Sequence, residues 1–378
     1  MNSLAREPES SQVMAHHHFI GMQNEINKPI FVVGSPRSGT SILTWCLGHH
    51  PNLFPVPESN WMGPFASNVA LAYQTGAARG DYSIFSAMDV QEEELFATFG
   101  QSINELILRH RKHLERKRET RSAALKLNAQ WLEATSTAVG PKRRWVDGTP
   151  EYSFYISALR KLFPGALFIH VVRDVQAVVQ SMLNFHRVGG VQLVPNQQEA
   201  YRYWLRAVSA CLLAERAYGP NVVYRIRYAE LINNPESAMH SLLAFLQESY
   251  TAKCLEPLKE RINSSTVPAD FKADDQGTDP AIVEEAQRLS ADIEENAQPS
   301  EASPDAARQI DAEFCDRVKY IATLEGTYRT EKSKLESVIS AYQTENLRLE
   351  SAIVELQKQF TDRAVALHGK GDPLARTQ

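Results

Sequence analysis

A short loop at residues 34–39 carries the side chains best suited to chemistry. Two glycines enclose a guanidinium and two hydroxyl groups, and two further hydroxyl groups follow the second glycine. An apolar run at 30–33 predicts a buried strand before the loop, and apolar residues at helical spacing over 40–49 predict a helix after it. Loop amides and the positive end of a helix dipole converge at such a turn, which predicts an anion-binding phosphate loop. The residues concerned are Gly34, Arg37, Ser38, Gly39, Thr40 and Ser41.

The loop differs from a nucleoside-triphosphate site at one residue. Gly34 to Ser41 fit the pattern G-x-x-x-x-G-K-[ST], except that Thr40 stands where a lysine would reach the β- and γ-phosphates. A P-loop kinase-like phosphotransferase is therefore an alternative that lacks the residue its chemistry needs most. An ordinary strand-to-helix turn is the other alternative.

The loop has a known counterpart. The run Pro-Arg-Ser-Gly-Thr-Ser at 36–41, following an apolar strand, resembles the 5′-phosphosulfate loop of sulfotransferases that use 3′-phosphoadenosine 5′-phosphosulfate (PAPS). The form is the one found in tyrosylprotein sulfotransferases and many bacterial relatives. The resemblance implies that residues 37–41 hold the 5′-phosphate and the sulfuryl group of the donor.

Three later segments extend the resemblance over residues 28–268. Arg173 closes a strand-like run, Ser181 lies eight residues further on, and the resemblance implies that both bind the 3′-phosphate. A strand-end arginine and a serine two helical turns later can face the same crevice. Tyr228 resembles a tyrosine that contacts the donor nucleotide, and Ser265 resembles, more weakly, a residue of a later donor-contacting segment. Considered alone, Arg173 could instead form a structural ion pair. Tyr228 could instead be an aromatic residue of the core.

Glu58 is the candidate general base. It lies in a proline-rich segment, 21 residues after Arg37. That segment returns from the first helix towards the strand ends, and tyrosylprotein sulfotransferases are similar in placing their base glutamate at such an interval. A carboxylate beside Arg37 would keep a low pKa unless it were buried. The alternative is a solvated loop carboxylate.

The sequence departs from the family at Gly148. Several relatives carry there a lysine that assists the transferring group. Either Arg37 stabilises the leaving phosphate alone, or one of the nearby cations substitutes for the lysine. These cations are Lys142, Arg143 and Arg144.

Strand-like and helix-like segments alternate along the first two thirds of the chain. We expect an α/β fold, with a P-loop-like, doubly wound parallel sheet flanked by helices. Residues 61–139 are predicted to form a helical insertion. Asp174 is a candidate N-cap for the helix that begins at residue 175. The segment 49–58 is rich in proline and predicts a loop or a short extended piece. Strands are predicted at 30–33, 144–147, 167–172 and 221–226.

The composition is that of an ordinary water-soluble protein. The 378 residues contain 40 Lys and Arg against 45 Asp and Glu, and the net charge of -5 gives no argument for nucleic acid as a partner. No apolar run predicts a membrane span, and residues 1–27 are polar and unlike a secretory signal. The cysteines lack metal-ligand spacing, so no metal is expected and a cytoplasmic setting is predicted. They are Cys46, Cys211, Cys254 and Cys315.

The last third of the chain reads as a linker and a coiled coil. We predict an acidic linker at 269–310, a coiled coil at 311–364, and flexible ends at 1–27 and 365–378. Asn346 at an a position favours a parallel homodimer in one register, and a helix packed on its own domain is the alternative. The d positions are Ile321, Tyr328, Leu335, Tyr342, Leu349 and Leu356. The a positions are Val318, Glu325, Lys332, Ile339, Asn346, Ile353 and Phe360.

Together these features predict a PAPS-dependent sulfotransferase that acts on a hydroxyl or an amine of a small molecule, a glycan or a lipid headgroup. The stretch 109–121 holds seven Arg and Lys against two Glu. It is either a solvated helix face or a surface for an anionic acceptor. A non-catalytic coiled-coil interaction protein with a vestigial nucleotide site is the remaining alternative.

Overall fold

A computed structural model describes residues 28–125, 142–186, 190–259 and 277–368. Ser265, one of the predicted donor-binding residues, lies outside these ranges. The chain divides into two compact units, Met1–Val318 and Lys319–Gln378. Within the described ranges, no helix is both long enough and apolar enough to cross a membrane.

A parallel sheet forms the centre of the first unit, as predicted, and it has five strands where the sequence predicted four. The strand order is β2-β3-β1-β4-β5, and every neighbouring pair is parallel. The chain leaves β1 for β2 and β3 on one side and reaches β4 and β5 on the other. This reversal opens a crevice beyond the carboxyl end of β1, where α/β sheets bind ligands. The strands are β1 (Ile30–Val33), β2 (Leu53–Val56), β3 (Arg144–Asp147), β4 (Leu167–Val172) and β5 (Val223–Arg227).

Helices cover both faces of the sheet. They are α1 (Thr40–Gly48), α2 (Met62–Ala77), α3 (Ile84–Ala87), α4 (Glu92–Leu125), α5 (Ile156–Leu162), α6 (Val175–Leu183), α7 (Gln197–Tyr218), α8 (Tyr228–Asn233), α9 (Pro235–Phe245), α10 (Pro280–Glu295) and α11 (Pro304–His368). Within the described ranges, 3-10 helices occupy Gly80–Tyr82, Pro150–Tyr155 and Ala252–Lys259. The predicted N-cap at Asp174 is confirmed, because its carboxylate accepts a hydrogen bond from the Ala177 N–H at 2.8 Å.

Alternation along β1 divides the core between the two faces of the sheet. Phe31 and Val33 point to one face, and Ile30 and Val32 point to the other. The Phe31 ring stacks on Phe168 and meets further aromatic rings edge-on or tilted, which fixes β1 firmly beneath the loop that follows it.

The proline-rich segment forms a short extended piece, one of its two predicted forms, which pairs as strand β2 beside β3. Another segment differs from the sequence-based expectation. Residues 280–295, within the predicted acidic linker, form helix α10. Its acidic residues face solvent, while Ala286 and Ile293 are buried against the helices α6 and α7. The high acidic content therefore describes only one face of an amphipathic helix.

The first turns of α11 belong to the core of the first unit. Ala306, Ile310, Phe314 and Val318 are all buried there. Val318 is therefore a core residue, although the heptad pattern assigns it to the first a position. In the second unit, the described side chains of α11 beyond Leu324 are exposed, including every apolar one.

Candidate active site

Two glycines shape the loop between β1 and α1. Gly34 has φ 145° and Gly39 has φ 113°, values that favour glycine. A Cβ atom on Gly34 would lie 2.5 Å from the carbonyl oxygen of Val171, and one on Gly39 would lie 2.6 Å from the Tyr228 ring. Larger residues at either position would displace β4 or the tyrosine. Arg37 also has a positive φ, 73°, and is the only non-glycine residue of the loop that does.

Hydrogen bonds from within and outside the loop hold its backbone. The N–H and the hydroxyl group of Ser38 both donate to the carbonyl oxygen of Ser35, at 3.1 and 2.7 Å. Ser153, 119 residues away, accepts the Gly34 N–H at 2.9 Å. Helix α1 begins at Thr40, and the first N–H groups of a helix have no partner within it. The amides of Thr40 and Ser41 can therefore face an anion.

The structure brings Arg37, Arg173, Ser181 and Tyr228 together at this loop. The Nε atom of Arg37 donates to Ser181 Oγ at 3.1 Å. Nη1 of Arg173 donates to the carbonyl oxygen of Arg37 at 3.1 Å, and the Arg173 guanidinium lies 4.7 Å from the centre of the Tyr228 ring. Both arginines therefore lie at the same edge of the sheet. One ligand with two anionic groups could contact both only in such an arrangement.

Arg37 and Arg173 lie close enough to repel each other. Burial lowers the pKa of Arg37, repulsion from Arg173 lowers it further, and Glu58 raises it. Arg37 also lies 4.9 Å from the centre of the Phe185 ring, which removes part of its hydration. A bound anion would relieve the repulsion between the two guanidinium groups.

Glu58 reaches the loop from the segment after β2. Ser41 donates its hydroxyl hydrogen to Glu58 Oε1 at 2.8 Å. Burial of the carboxylate raises its pKa, the Ser41 hydrogen bond lowers it, Glu151 raises it and Arg37 lowers it; the net shift is upward. The side chain as a whole remains exposed to solvent. The carboxylate is thus both adjacent to the phosphate loop and accessible to an acceptor.

A buried carboxylate missed by the sequence analysis fixes the Glu58 segment. Asp147, at the end of β3, accepts the N–H and the hydroxyl group of Thr149 at 2.9 and 2.6 Å. Thr149 in turn accepts the N–H of Ser59 at 2.8 Å, and Tyr152 donates to the Ser59 carbonyl at 2.6 Å. The N–H and the carbonyl oxygen of Ser59, the residue after Glu58, are therefore both held by hydrogen bonds.

Burial raises the pKa of Asp147 to about 7, and hydrogen bonds from Thr149 oppose this shift. Glu58 and Glu151 raise it further. The signal in the sequence is the strand-end run Asp-Gly-Thr-Pro-Glu-Tyr at 147–152, whose roles only the tertiary hydrogen bonds reveal.

Gly148, where the resemblance implies a lysine, packs closely against the Thr44 side chain. A Cβ atom on Gly148 would lie 2.1 Å from Thr44 Oγ1. Lys142 donates to the Gly48 carbonyl at 2.7 Å, and Arg144 donates to the Lys28 carbonyl at 2.8 Å, before the start of β1. Both cations lie at or before the amino end of β3, about 10 Å or more from its carboxyl end at ~3.3 Å per residue. Lys142 and Arg144 are held away from the crevice, where Arg37 and Arg173 lie.

The family assignment follows from comparison with known proteins. Residues 29–252 match the model of the sulfotransferase family. This span is more than half of the chain, and the chain belongs to that family, whose members are PAPS-dependent.

Individual relatives are distant. An uncharacterised protein of Aquifex aeolicus is 24% identical over 252 residues, which is 64% of this chain and 28% of that protein. A putative protein-tyrosine sulfotransferase of Caenorhabditis briggsae is 22% identical over 234 residues, or 62% of this chain and 70% of the relative. Among solved structures, the sulfotransferase domain of the Synechococcus PCC 7002 olefin synthase is 19% identical with a TM-score of 0.38, covering 76% of this chain and 94% of that domain.

Proposed function

We propose that this chain transfers the sulfuryl group of PAPS to a hydroxyl group, or less readily an amine, of a small molecule, a glycan or a lipid headgroup. The observation that carries the proposal is the hydrogen bond between Arg173 and the backbone of Arg37. It joins two cations, one suited to each phosphate end of a single donor. Gly34 and Gly39 let the loop backbone approach β4 and Tyr228 closely, and the amides at the start of α1 beside them are suited to a nucleotide phosphate.

The residues of the loop act on the 5′ end of the donor. PAPS supplies an activated sulfuryl group joined to a phosphate that becomes the leaving group. The amides at the start of α1 and the Arg37 guanidinium bind this phosphate and stabilise the charge that grows on it as the sulfur–oxygen bond breaks. Arg173 binds the 3′-phosphate through its planar fork, and Tyr228 keeps that fork in place.

Glu58 acts on the acceptor. Its carboxylate removes the acceptor proton while the acceptor oxygen forms its bond to sulfur. Ser41 orients the carboxylate, and the anchored backbone of Ser59 keeps it at the loop. The proton thus ends on Glu58, and the negative charge ends on the leaving phosphate beside Arg37.

Thermal denaturation with different nucleotides tests the donor class. We expect 3′-phosphoadenosine 5′-phosphate (PAP) to raise the unfolding midpoint and to stabilise the protein by about 2.7 kcal/mol at ~100 times its dissociation constant. ATP with Mg²⁺ should stabilise the protein much less, because Thr40 replaces the lysine of triphosphate-binding loops. The measurement is the midpoint shift as a function of nucleotide concentration.

A matched control for the nucleotide experiment is ADP without Mg²⁺, which carries a 5′-diphosphate but no 3′-phosphate. A larger midpoint shift with ATP–Mg²⁺ than with PAP would contradict a PAPS-dependent enzyme and favour a phosphotransferase. Incubation of a cell extract with the enzyme and labelled PAPS, followed by mass spectrometry, would identify the acceptor.

The second unit supports a further part of the proposal, a homodimer. The apolar a and d positions beyond Ile321 are exposed in the described part of the chain. Their exposed fractions are 60% at Leu335, 47% at Ile339, 53% at Leu349 and 53% at Ile353. A second copy of the same helix in parallel register would cover them and pair Asn346 with its equivalent.

Removal of residues 319–378 tests the dimer. We expect the truncated protein to be a monomer that still binds PAP, because Val318 is the last buried residue of the first unit. The mass is measured by analytical ultracentrifugation over a range of concentrations. A truncated protein with the same oligomeric state as the full chain would contradict the coiled-coil dimer.

Point substitutions provide a matched pair for the same measurement. Aspartate at the d positions Leu349 and Leu356 should dissociate the full chain, because it would bury charges in the seam. Aspartate at Ser351 and Lys358, the outermost f positions of the same heptads, should leave the dimer intact.

A further inference from the structure

A second concave site lies outside the donor crevice. A cavity of about 420 Å³ opens between the 3-10 helix Pro150–Tyr155, helix α7 and the first turns of α11. We call it the arginine groove, and all of its lining residues belong to the first unit. Its charged lining residues are Arg206, Arg216, Glu313 and Arg317, and two aromatic residues, Phe154 and Tyr155, lie beside them.

The groove carries a net positive charge without internal pairing. Three arginines line it, with a single carboxylate from Glu313, which accepts a hydrogen bond from Gln309 at 3.0 Å. In the described part of the chain, none of the three groove arginines forms a salt bridge. Other arginines on the same two helices do: Arg202 pairs with Glu199, and Arg308 pairs with Asp305. In a chain with a net charge of -5, this concentration of unpaired guanidinium groups in a concave surface indicates an anionic ligand.

Aromatic rings hold two of the guanidinium groups in place. The Cζ atom of Arg317 lies 4.3 Å from the centre of the Tyr155 ring, and that of Arg206 lies 5.3 Å from the centre of the Phe154 ring. The Tyr155 ring is itself fixed, since a Cβ atom on Gly63 would lie 2.4 Å from it. Stacked guanidinium groups lose less conformational freedom when they bind an anion, which favours binding.

The groove is built partly from chain that the family model does not match. The match ends at residue 252, whereas Glu313 and Arg317 lie on α11. At its inner wall, Ser153 accepts the Gly34 N–H and so connects the groove to the phosphate loop. None of the donor-binding residues proposed above lines the cavity.

We propose that the arginine groove binds a small molecule that carries two or more carboxylate, phosphate or sulfate groups. The cavity volume falls within the range of about 300–1,000 Å³ that is typical of small-molecule sites. Guanidinium forks match the planar or tetrahedral oxygens of these groups, and the aromatic walls accommodate an apolar body between them. This inference is independent of the sulfuryl-transfer chemistry.

Isothermal titration calorimetry with citrate tests the proposal. The full chain is first saturated with PAP, so that the phosphate loop is blocked, and citrate is then titrated. Arg206→Gln and Arg317→Gln should each weaken citrate binding by roughly 10-fold or more, because each removes a charge-assisted contact. The matched controls are Arg202→Gln on α7 and Arg308→Gln on α11, which remove the same charge outside the groove and should bind citrate like the wild type.

The variants show where citrate binds whether or not PAP binds. A finding that PAP does not bind would therefore count against the proposed donor but not against the arginine groove. Thermal midpoints equal to that of the wild type would show that the variants are folded. Trimethyl citrate, the neutral analogue, should not bind. Absence of citrate binding at millimolar concentration, or equal affinities in Arg206→Gln, Arg317→Gln and both controls, would overturn the proposal.

Discussion

Glu58→Gln is expected to lower the rate of sulfuryl transfer by about 10²- to 10⁴-fold, the usual contribution of a general base. The affinity for PAP should remain close to that of the wild type. Glutamine keeps the shape of the side chain, and its amide oxygen can still accept the Ser41 hydroxyl hydrogen that Glu58 accepts at 2.8 Å. It cannot remove a proton from the acceptor. Steady-state transfer from labelled PAPS gives the rate, and calorimetry gives the affinity.

The pH dependence distinguishes a base from a structural carboxylate. Only ionised Glu58 can accept a proton, so the rate should fall as the pH decreases through its pKa. Burial raises that pKa, and Glu151 raises it further. Glu151→Gln removes the second contribution and should move the acid limb of the rate profile to lower pH. The maximal rate should be unchanged, which makes Glu151→Gln the matched control for Glu58→Gln. Undiminished turnover in Glu58→Gln would exclude Glu58 as the base.

Local sequence patterns were sufficient for the elements that carry the site. A continuous apolar run predicted β1, because a strand buried on both faces needs no polar alternation. Two glycines and the following helix predicted the phosphate loop, and the strand end at Arg173 placed a second cation at the same edge. Parallel strands present their carboxyl ends on one side, so these segments had to meet.

Contacts between distant residues were not predictable in this way. Ser153 holds Gly34 across 119 residues of sequence, and Arg37 pairs with Ser181 across 144. Neither pair has a local signature, because both depend on the strand order. The alternative that a cation near Gly148 replaces the missing lysine was reasonable from spacing alone. The strand geometry of β3 excludes Lys142 and Arg144, since both are bonded at its amino end.

Composition was also misleading where it was averaged over a segment. The high acidic content predicted a linker at 269–310, although a stripe of small and apolar residues along 280–295 is buried. Similarly, the heptad pattern extended back to Val318, which is buried in the core of the first unit. A periodic pattern identifies the face of a helix that is covered but not the partner that covers it.

Arg173→Ala is expected to remove the preference of the protein for a 3′-phosphate. The wild type should bind PAP more tightly than AMP, which has the same 5′-phosphate and lacks the other. Arg173→Ala should weaken PAP binding by about 10- to 100-fold, because a hydrogen bond to a charged group contributes ~1.5–3 kcal/mol. The affinity for AMP should change little. Calorimetric titration of both nucleotides against both proteins gives the four dissociation constants.

The AMP titration also controls for damage to the loop. Arg173 donates to the carbonyl oxygen of Arg37 and lies against Tyr228, so its removal could disturb the loop as well as the 3′-phosphate contact. A disturbed loop would weaken both nucleotides equally, whereas a lost 3′-phosphate contact weakens PAP alone. Arg37→Ala should instead weaken the binding of both PAP and AMP, because Arg37 is assigned to the 5′-phosphate that the two nucleotides share. If Arg173→Ala retained the full preference for PAP, Arg173 would not be the 3′-phosphate ligand, and the two-ended grip on one donor would be wrong.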